Sequence, residues 1–171
     1  MNADQFIESF RSFPNTLQAA VADLPVSENT WRPPDGAWSI LEIVTHLADE
    51  EEADFKTRLR LTLEEPQQQW PKIDPEAWAT QRNYNDGDLH KSLDRFRAER
   101  DKSMRWLDSL AKPEWSRAFQ HPRVGPVPAG DLLAAWTAHD WFHLRQICKR
   151  RLQLLALHAQ PFSIDYAGGT I

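Results

Sequence analysis

Apolar side chains recur at steps of three and four residues in four long segments of the chain, which is the spacing of amphipathic helices. The first segment covers residues 4–24. Its apolar face is formed by Phe6, Phe10, Phe13, Leu17, Ala20, Val21 and Leu24. Pro14 lies inside this pattern, and proline removes a helical hydrogen bond, so we expect a kink or a broken first turn there.

The second segment carries a clear signal for a helix start. Ser39 is followed three residues later by Glu42, the spacing of a capping box, in which each side chain accepts a hydrogen bond from the other residue's backbone. Trp38, just before the cap, is placed to pack on Ile43. The apolar pattern then continues, and it predicts one helix that runs from residue 40 to about residue 63.

Two long connections separate the helices. The polar stretch at residues 64–87 is too long for a simple turn, and it contains Asp74 and Pro75 in the cap and first positions of a short extra helix. The second connection, QHPRVGPVP from Gln120 to Pro128, has three prolines and one glycine, which predicts a loop. We therefore expect a helical bundle with long crossover loops.

The remaining two helices complete an all-α four-helix bundle. The third is expected to begin near Asp88 and to end before Pro113, and polar Arg100 interrupts its apolar side. The fourth is expected to cover residues 129–155. One face of it carries Leu132, Trp136, His139, His143 and Ile147. Long helices without strand-like alternation predict a four-helix bundle, and the length of 171 residues predicts a single domain over residues 1–171.

Composition and charge narrow the classes of function. A net charge of −5 disfavours a nucleic-acid-binding surface, which needs a basic face. No run of 18 apolar residues is present, so we expect no membrane span. The start MNADQFIESF lacks the basic and apolar regions of a signal peptide, and the single cysteine, Cys148, cannot form an internal disulfide. A cytoplasmic location is therefore the expectation.

The sequence HDWFHLRQI holds two histidines, His139 and His143, one helical turn apart. Residues four apart in a helix have their Cβ atoms about 5–6 Å apart. Both imidazoles can therefore reach one metal ion at the usual bond length of about 2.0–2.1 Å. They also lie on the apolar face, where a polar ring needs a partner. The alternative is that a carboxylate or a backbone carbonyl satisfies each ring, because pairs with this spacing also occur by chance.

A third ligand has to come from another helix, and His46 is the best candidate. It lies beside Ile43 on the flank of the second helix's apolar face, where it can face a neighbouring helix. Two histidines from one helix and one from another leave an open position on a tetrahedral metal, as a catalytic site requires. The alternative is a surface histidine among acidic neighbours.

Three further residues are candidates for a role at this site. Glu50 lies one turn after His46, where it could act as a base, orient a ligand or be a fourth ligand, although we expect the acidic run at residues 49–52 to lie mostly at the surface. Asp140 stands at the glutamate position of the metalloprotease motif H-E-x-x-H, but its side chain is shorter, and we expect it to orient a neighbouring side chain instead. His121 precedes the fourth helix in the proline-rich loop, which could cover the mouth of a site.

Three segments together resemble the DinB/YfiT-like superfamily of metalloenzymes. They are WRPPDGAWSILEIVTHLADEE at residues 31–51, HPRVGPVPAGDLLAAW at residues 121–136 and HDWFHLRQI at residues 139–147. The segment DPEAWATQRNY at residues 74–84 is also similar to the family, so the resemblance covers most of the chain. It implies a bundle of four long helices, and such bundles often pair as a homodimer.

The resemblance also implies a metal site and a chemistry. In the family a divalent transition metal, often nickel or zinc, is bound by three histidines, and the matching positions here are His46, His139 and His143. Some members resemble hydrolases and others resemble thiol-dependent S-transferases, in which the metal activates a low-molecular-weight thiol. The leading hypothesis is a metal-dependent enzyme that acts on a small molecule, for which the helical spacing offers Glu50 as the catalytic residue.

A different class of function stays open. The chain could be a non-catalytic helical module that binds a small molecule or a protein without a metal, with the histidines serving only the core. A third interpretation keeps the metal but gives it a structural role. Metal content, and the effect of removing one histidine, distinguish these classes.

Overall fold

Four long helical segments form a bundle in the computed structural model, which describes residues 2–168. They are α1 (Ala3–Val21), α3 followed by α4 (Ile40–Ala53 and Phe55–Glu64), α6 (Leu89–Ser109) and α7 (Ala129–His158). The shorter helical elements in the connections are α2 (Val26–Asn29), α5 (Pro75–Gln81) and two 3-10 turns, Tyr84–Asp86 and Asp165–Ala167. The predicted bundle and its short extra helix are confirmed.

The apolar faces of the helices meet in a core with two halves. Helix α3 packs on α6 and α7, α1 packs on the same two helices, and α4 packs on α7. In one half, Phe13 of α1 and Phe96 of α6 have their ring centroids 6.0 Å apart. In the other, Phe10 of α1 and Trp136 of α7 are 4.6 Å apart. No helix within residues 2–168 is long and apolar enough to cross a membrane.

The helix starts follow the local signals in the sequence. The Ser39 hydroxyl accepts a hydrogen bond from the Glu42 backbone at 3.1 Å, and the Glu42 carboxylate accepts one from the Ser39 backbone at 2.9 Å. The predicted capping box is therefore present. Trp38 packs against the core cluster that contains Ile43. At the start of α5, the Asp74 side chain caps the helix as predicted.

Helix continuity differs from the prediction at two positions. The second helix is not continuous, because Asp54, with backbone angles φ −111° and ψ −89°, separates α3 from α4. Its side chain forms an ion pair with Arg58 in the first turn of α4, and its backbone N–H still donates to the Glu50 carbonyl at 3.0 Å, so the two helices follow each other directly. Of the kink or broken turn expected at Pro14, the broken turn is absent, because α1 is continuous from Ala3 to Val21. The buried side chains of Phe10 and Leu17 hold both sides of α1 in the core.

The segment predicted to be a loop before α7 is a short β-hairpin. Strands β1 (Ala118–His121) and β2 (Gly125–Pro128) pair antiparallel, with Phe119 opposite Val127. Gly125 adopts φ +81°, which a glycine allows without a steric cost and which lets the chain turn back. The loop prediction rested on the prolines, and it was wrong because each strand of a two-stranded hairpin has an outer edge, where the missing N–H of a proline is tolerated. Phe119 is buried, and the hairpin leads directly into α7.

Candidate metal centre

Three histidines from two helices meet between α3 and α7. The ring centroid of His46, on α3, lies 5.4 Å from that of His139 and 4.7 Å from that of His143, both on α7. The two rings of α7 are 4.3 Å apart. One ring nitrogen of each residue lies within 4.8 Å of the other two. The structure thus brings together the three side chains that the sequence nominates as metal ligands.

Aromatic rings pack around this cluster, and its histidine side chains are largely buried. The ring centroid of Trp38, just before α3, lies 4.8 Å from that of His46, and the ring of Phe55, at the start of α4, lies 5.0 Å from that of His139. His46 is only 5% exposed and His143 only 8%. Removal of water from these rings disfavours the charged imidazolium form.

The hydrogen bonding of the cluster is incomplete. His143 Nδ1 lies 2.8 Å from Oε1 of Gln146, which can only accept, so this nitrogen donates and Nε2 keeps its lone pair. That Nε2 lies 3.0 Å from Nε2 of His139. Nδ1 of His46 is buried and has no hydrogen-bond partner within residues 2–168. A buried polar ring requires a partner. A divalent ion would supply one to the cluster, and three imidazoles are a suitable donor set for it.

All three imidazoles are held in the neutral form. Burial lowers the pKa of His46 to about 3, and the nearby His143 adds to the effect. The pKa of His139 is lowered by burial and then by the other two histidines. Burial also lowers the pKa of His143, against the opposing hydrogen bond to Gln146. Neutral imidazole is the form that binds metal, so protons compete little with a metal near pH 7.

A cavity of about 770 Å³ opens onto the histidine cluster. Its walls come from the residues around the start of α3, from the segment at α5 and from α7. Trp38 and Ile43 give it an apolar part, and Gln146 and Arg150 give it a polar part. A cavity of this size is typical of a site for a small molecule.

Glu50 lines the same cavity as His46, one helical turn away, as the spacing predicts. Its side chain is buried, and its Oε1 has no hydrogen-bond partner within the described part of the chain. Burial raises the pKa of Glu50 to about 8, and the neighbouring Asp54 carboxyl adds to the effect. Glu50 therefore keeps a proton at neutral pH.

The expectation that the acids at residues 49–52 lie mostly at the surface is wrong. Three of the four are buried, and only Glu52 is exposed. Asp49 accepts hydrogen bonds from the Tyr84 hydroxyl and from the guanidinium of Arg95, which ties the connection after α5 to α3 and α6. These partners lie 35 and 46 residues further along the chain, so no local pattern could indicate them.

Glu51 belongs to a buried ion network that joins α3, α6 and α7. The guanidinium of Arg100 donates to the Asp140 carboxylate at 2.9 and 3.0 Å and to the Glu51 carboxylate at 2.9 Å. The Trp136 indole also donates to Glu51, at 2.9 Å. Asp140 therefore orients an arginine, and none of its hydrogen bonds within residues 2–168 is to a histidine.

His121 lies outside the histidine cluster. It is half-buried in β1, with its ring centroid 5.8 Å from that of Trp70 and 6.3 Å from that of Phe119. It is not part of the cavity wall. The structure therefore gives His121 a place in an aromatic group at the hairpin rather than over the mouth of the site.

Sequence reasoning missed two polar residues of the cavity wall, Gln146 and Arg150. They follow His143 at helical steps of three and four residues, so they share a helix face with it. The spacing that groups the two histidines of α7 could have found them.

The sequence model of the DinB superfamily matches residues 9–147, a stretch that includes all three histidines of the cluster. The chain belongs to the DinB superfamily. A relative from Oceanobacillus iheyensis, named "Putative metal-dependent hydrolase", is 26% identical over 151 residues, which cover 86% of this chain and 87% of the relative. YfiT of Bacillus subtilis, which has the same descriptive name, is 24% identical over 145 residues, or 84% of this chain and 81% of YfiT.

A solved structure of YfiT is similar to this DinB domain in fold. The two superpose with a TM-score of 0.79 and 23% identity, over 89% of this chain and 87% of YfiT. YfiT is described as an unusual four-helix bundle. The likeness supports the same arrangement of long helices here.

Proposed function

We propose that this DinB superfamily member is a metal-dependent hydrolase for a small molecule, with His46, His139 and His143 as the metal ligands. The observation that carries the proposal is the convergence of three ring nitrogens within 4.8 Å of one another, at a cavity of about 770 Å³. The names of the relatives from Oceanobacillus iheyensis and Bacillus subtilis support the reaction class.

Nickel and zinc are the metals that we propose for the site, because imidazole nitrogen suits both ions. When bound, such an ion supplies Lewis acidity, which polarises a carbonyl group and lowers the pKa of a water molecule or thiol that it binds. The protein's part is to keep the three imidazoles neutral by burial, with Trp38 and Phe55 packed against them.

Glu50 is the proposed catalytic residue. Without a metal, burial raises the pKa of Glu50 to about 8. The charge of a bound cation would lower this pKa toward neutral pH, where the carboxyl group can donate a proton to a leaving group in the cavity. The apolar wall at Trp38 and Ile43 limits the water around a bound substrate. Glu50 would thus act as a general acid, and the deprotonated form would act as a base in the reverse proton transfer.

A thiol-dependent transfer is the second candidate, and the make-up of the cavity wall favours an external thiol for it. The cavity wall contains no cysteine within residues 2–168, and Cys148 is exposed elsewhere on α7. A low-molecular-weight thiol would therefore enter as a second small molecule. Product analysis by mass spectrometry, with and without added glutathione or cysteine, separates thiol addition from hydrolysis.

Removal of one histidine is expected to abolish metal binding. Protein purified without a chelator and without a histidine tag should contain about one transition-metal ion per chain. His143→Ala should lower this to less than about a tenth, because only two ligands remain. Metal content is measured by inductively coupled plasma mass spectrometry.

The matched control is His90→Ala, since His90 is exposed on α6 and should leave the metal content unchanged. Wild-type protein without stoichiometric metal, or a His143→Ala variant with full metal content, would contradict the proposed site. Full metal content in a His46→Ala variant as well would exclude the three-histidine site as a whole.

Glu50→Gln is expected to separate catalysis from metal binding. The variant should keep about one metal ion per chain, yet hydrolyse a small N-acetylated amine about 10²-fold or more slowly than wild type, because the poor leaving group needs a proton. The wild-type rate should fall on the alkaline side of the pH at which Glu50 loses its proton, at or below about 8 because a bound cation lowers this pKa. The exposed neighbour Glu52 provides the control, Glu52→Gln, which should retain the wild-type rate. Loss of metal in Glu50→Gln would instead identify Glu50 as a ligand.

A further inference from the structure

One polar stripe on α7 extends from the histidine cluster along the cavity wall. His139, His143, Gln146 and Arg150 follow one another at steps of four, three and four residues, and all four line the cavity. Arg150 therefore lies two helical turns beyond His143, about 10 Å along the helix axis. A small molecule of ordinary size can contact both positions at once.

Arg150 is buried and fixed in place, and it has no acidic partner among the described residues. It is only 6% exposed. Its Nε donates to the backbone carbonyl of Trp38 at 2.8 Å, and its Nη1 donates to Oε1 of Gln153. Within residues 2–168 its Nη2 makes no hydrogen bond and no carboxylate lies within 4.0 Å of the guanidinium. By contrast, the buried Arg100 is paired with two carboxylates.

A buried charge without a counter-charge is costly, and proteins usually pair it. An oriented guanidinium that borders a cavity is also suited to a planar carboxylate, which its N–H groups can bind with good geometry. The neutral carbonyl and amide partners of Arg150 hold its side chain without cancelling its charge. The missing counter-charge therefore fits an anionic group of a ligand.

The other charged groups at the cavity restrict where such a group can bind. The three histidines are the remaining basic side chains of the wall, and the acids are Glu50 and, on the α5 segment, the exposed Asp74 and Glu76. The two exposed acids disfavour an anion at the α5 wall, whereas Arg150 favours one on α7. The single positive charge of Arg150 balances a carboxylate in full, whereas a phosphate dianion would keep a net negative charge in a cavity that the exposed acids Asp74 and Glu76 also line.

We infer that Arg150 binds a carboxylate of the small molecule whose reacting bond lies at the three histidines, so that the substrate is a carboxylic acid derivative. The position of the reacting bond rests on the proposed function. The anion site itself does not, because Arg150 and its partners need no metal to hold their positions. Arg150 is thus a specificity-determining residue.

The test uses hexanoate and its primary amide, hexanamide, as a matched pair that differs only in charge. Isothermal titration calorimetry of the wild-type protein should show that hexanoate binds about tenfold or more tightly than hexanamide. Arg150→Gln should remove this preference, and Arg150→Lys should retain part of it because the charge remains. Arg145→Gln is the control, since Arg145 is exposed on the same helix and outside the cavity wall.

The outcomes separate this inference from the proposed function. A carboxylate preference that persists in chelator-treated or metal-free protein supports the anion site even if the metal proposal fails. If metal-loaded wild-type protein binds hexanoate and hexanamide equally, the anion site is overturned and the metal proposal is unaffected. This result needs no variant, so it holds even if Arg150→Gln does not fold. A preference that is unchanged in a folded Arg150→Gln variant overturns it as well. Inorganic phosphate that binds more tightly than hexanoate would overturn the assignment to a carboxylate.

Discussion

Replacement of Arg100 by methionine is expected to lower the free energy of unfolding by about 3–5 kcal/mol, the usual cost of breaking a buried ion pair. Arg100 is 1% exposed, and its guanidinium is shared by Glu51 of α3 and Asp140 of α7. Burial alone would lower the pKa of Arg100, but these two carboxylates outweigh it and raise the pKa. Methionine fills similar space but leaves two buried carboxylates without a counter-charge. Urea unfolding followed by circular dichroism measures the loss.

Two further variants test this explanation. Arg105→Met removes an exposed arginine of the same helix and should change the stability by less than about 0.5 kcal/mol. The triple replacement Arg100→Met, Glu51→Gln, Asp140→Asn should recover part of the lost stability, because it removes the unpaired charges together with the arginine. A single Arg100→Met variant as stable as wild type would show that the network does not support the fold.

The same network has a consequence for the histidines. Asp140 directly follows His139 on α7, and Glu51 is on the same helix as His46. Arg100 on α6 therefore links the two helices that carry the cluster. This link helps to fix the distance between the histidine of α3 and those of α7, which a metal site requires to within a fraction of an ångström.

Metal-free protein is expected to lose stability steeply as the pH falls below about 6.5, the ordinary pKa of histidine. In the folded protein the pKa of His46 is lowered to about 3, and the pKa values of His139 and His143 are lowered too. The unfolded chain therefore binds protons that the folded protein does not. The stability is fully present above pH 6.5, and below it each histidine removes about 1.4 kcal/mol per pH unit until its folded pKa is reached.

The measurement is urea unfolding in the presence of a chelator between pH 5 and 7.5, a window chosen around the ordinary histidine pKa of about 6.5. His46→Gln should reduce the slope of stability against pH by about 1.4 kcal/mol per pH unit, since glutamine does not titrate. His90→Gln should leave the slope unchanged, because His90 is exposed. An identical slope in wild type and His46→Gln would show that the pKa of His46 is not lowered in the folded protein.

Local signals explain which parts of the fold could be predicted. The four long helices follow from apolar periodicity, and the capping box at Ser39 and Glu42 needs only residues one turn apart. The break at Asp54 escaped prediction because it lies in the backbone angles of a single residue, while the apolar pattern continues through it. The hairpin before α7 escaped because the pairing of Phe119 with Val127 is not visible in a stretch rich in proline.

The polar residues of the core show the limits of sequence reasoning more sharply. Arg100 interrupts an apolar face in the sequence, yet it is one of the most buried side chains in the described part of the chain. Asp49 and Glu51 belong to an acidic run typical of a surface, yet each finds basic partners on other helices. A charge is buried only where opposite charges meet it, and that depends on how the helices pack.

The sequence by itself determined the helices and the residues that share a face of each helix, because these follow from distances of a few residues along the chain. It placed His139 and His143 on one face of α7 in this way. Only the tertiary structure decided that His46 meets them, that Glu50 is buried beside them, and that Arg150 borders the cavity without an acidic partner within residues 2–168. The physical reason is that contacts between distant segments depend on the packing and rotation of whole helices, which no local spacing specifies.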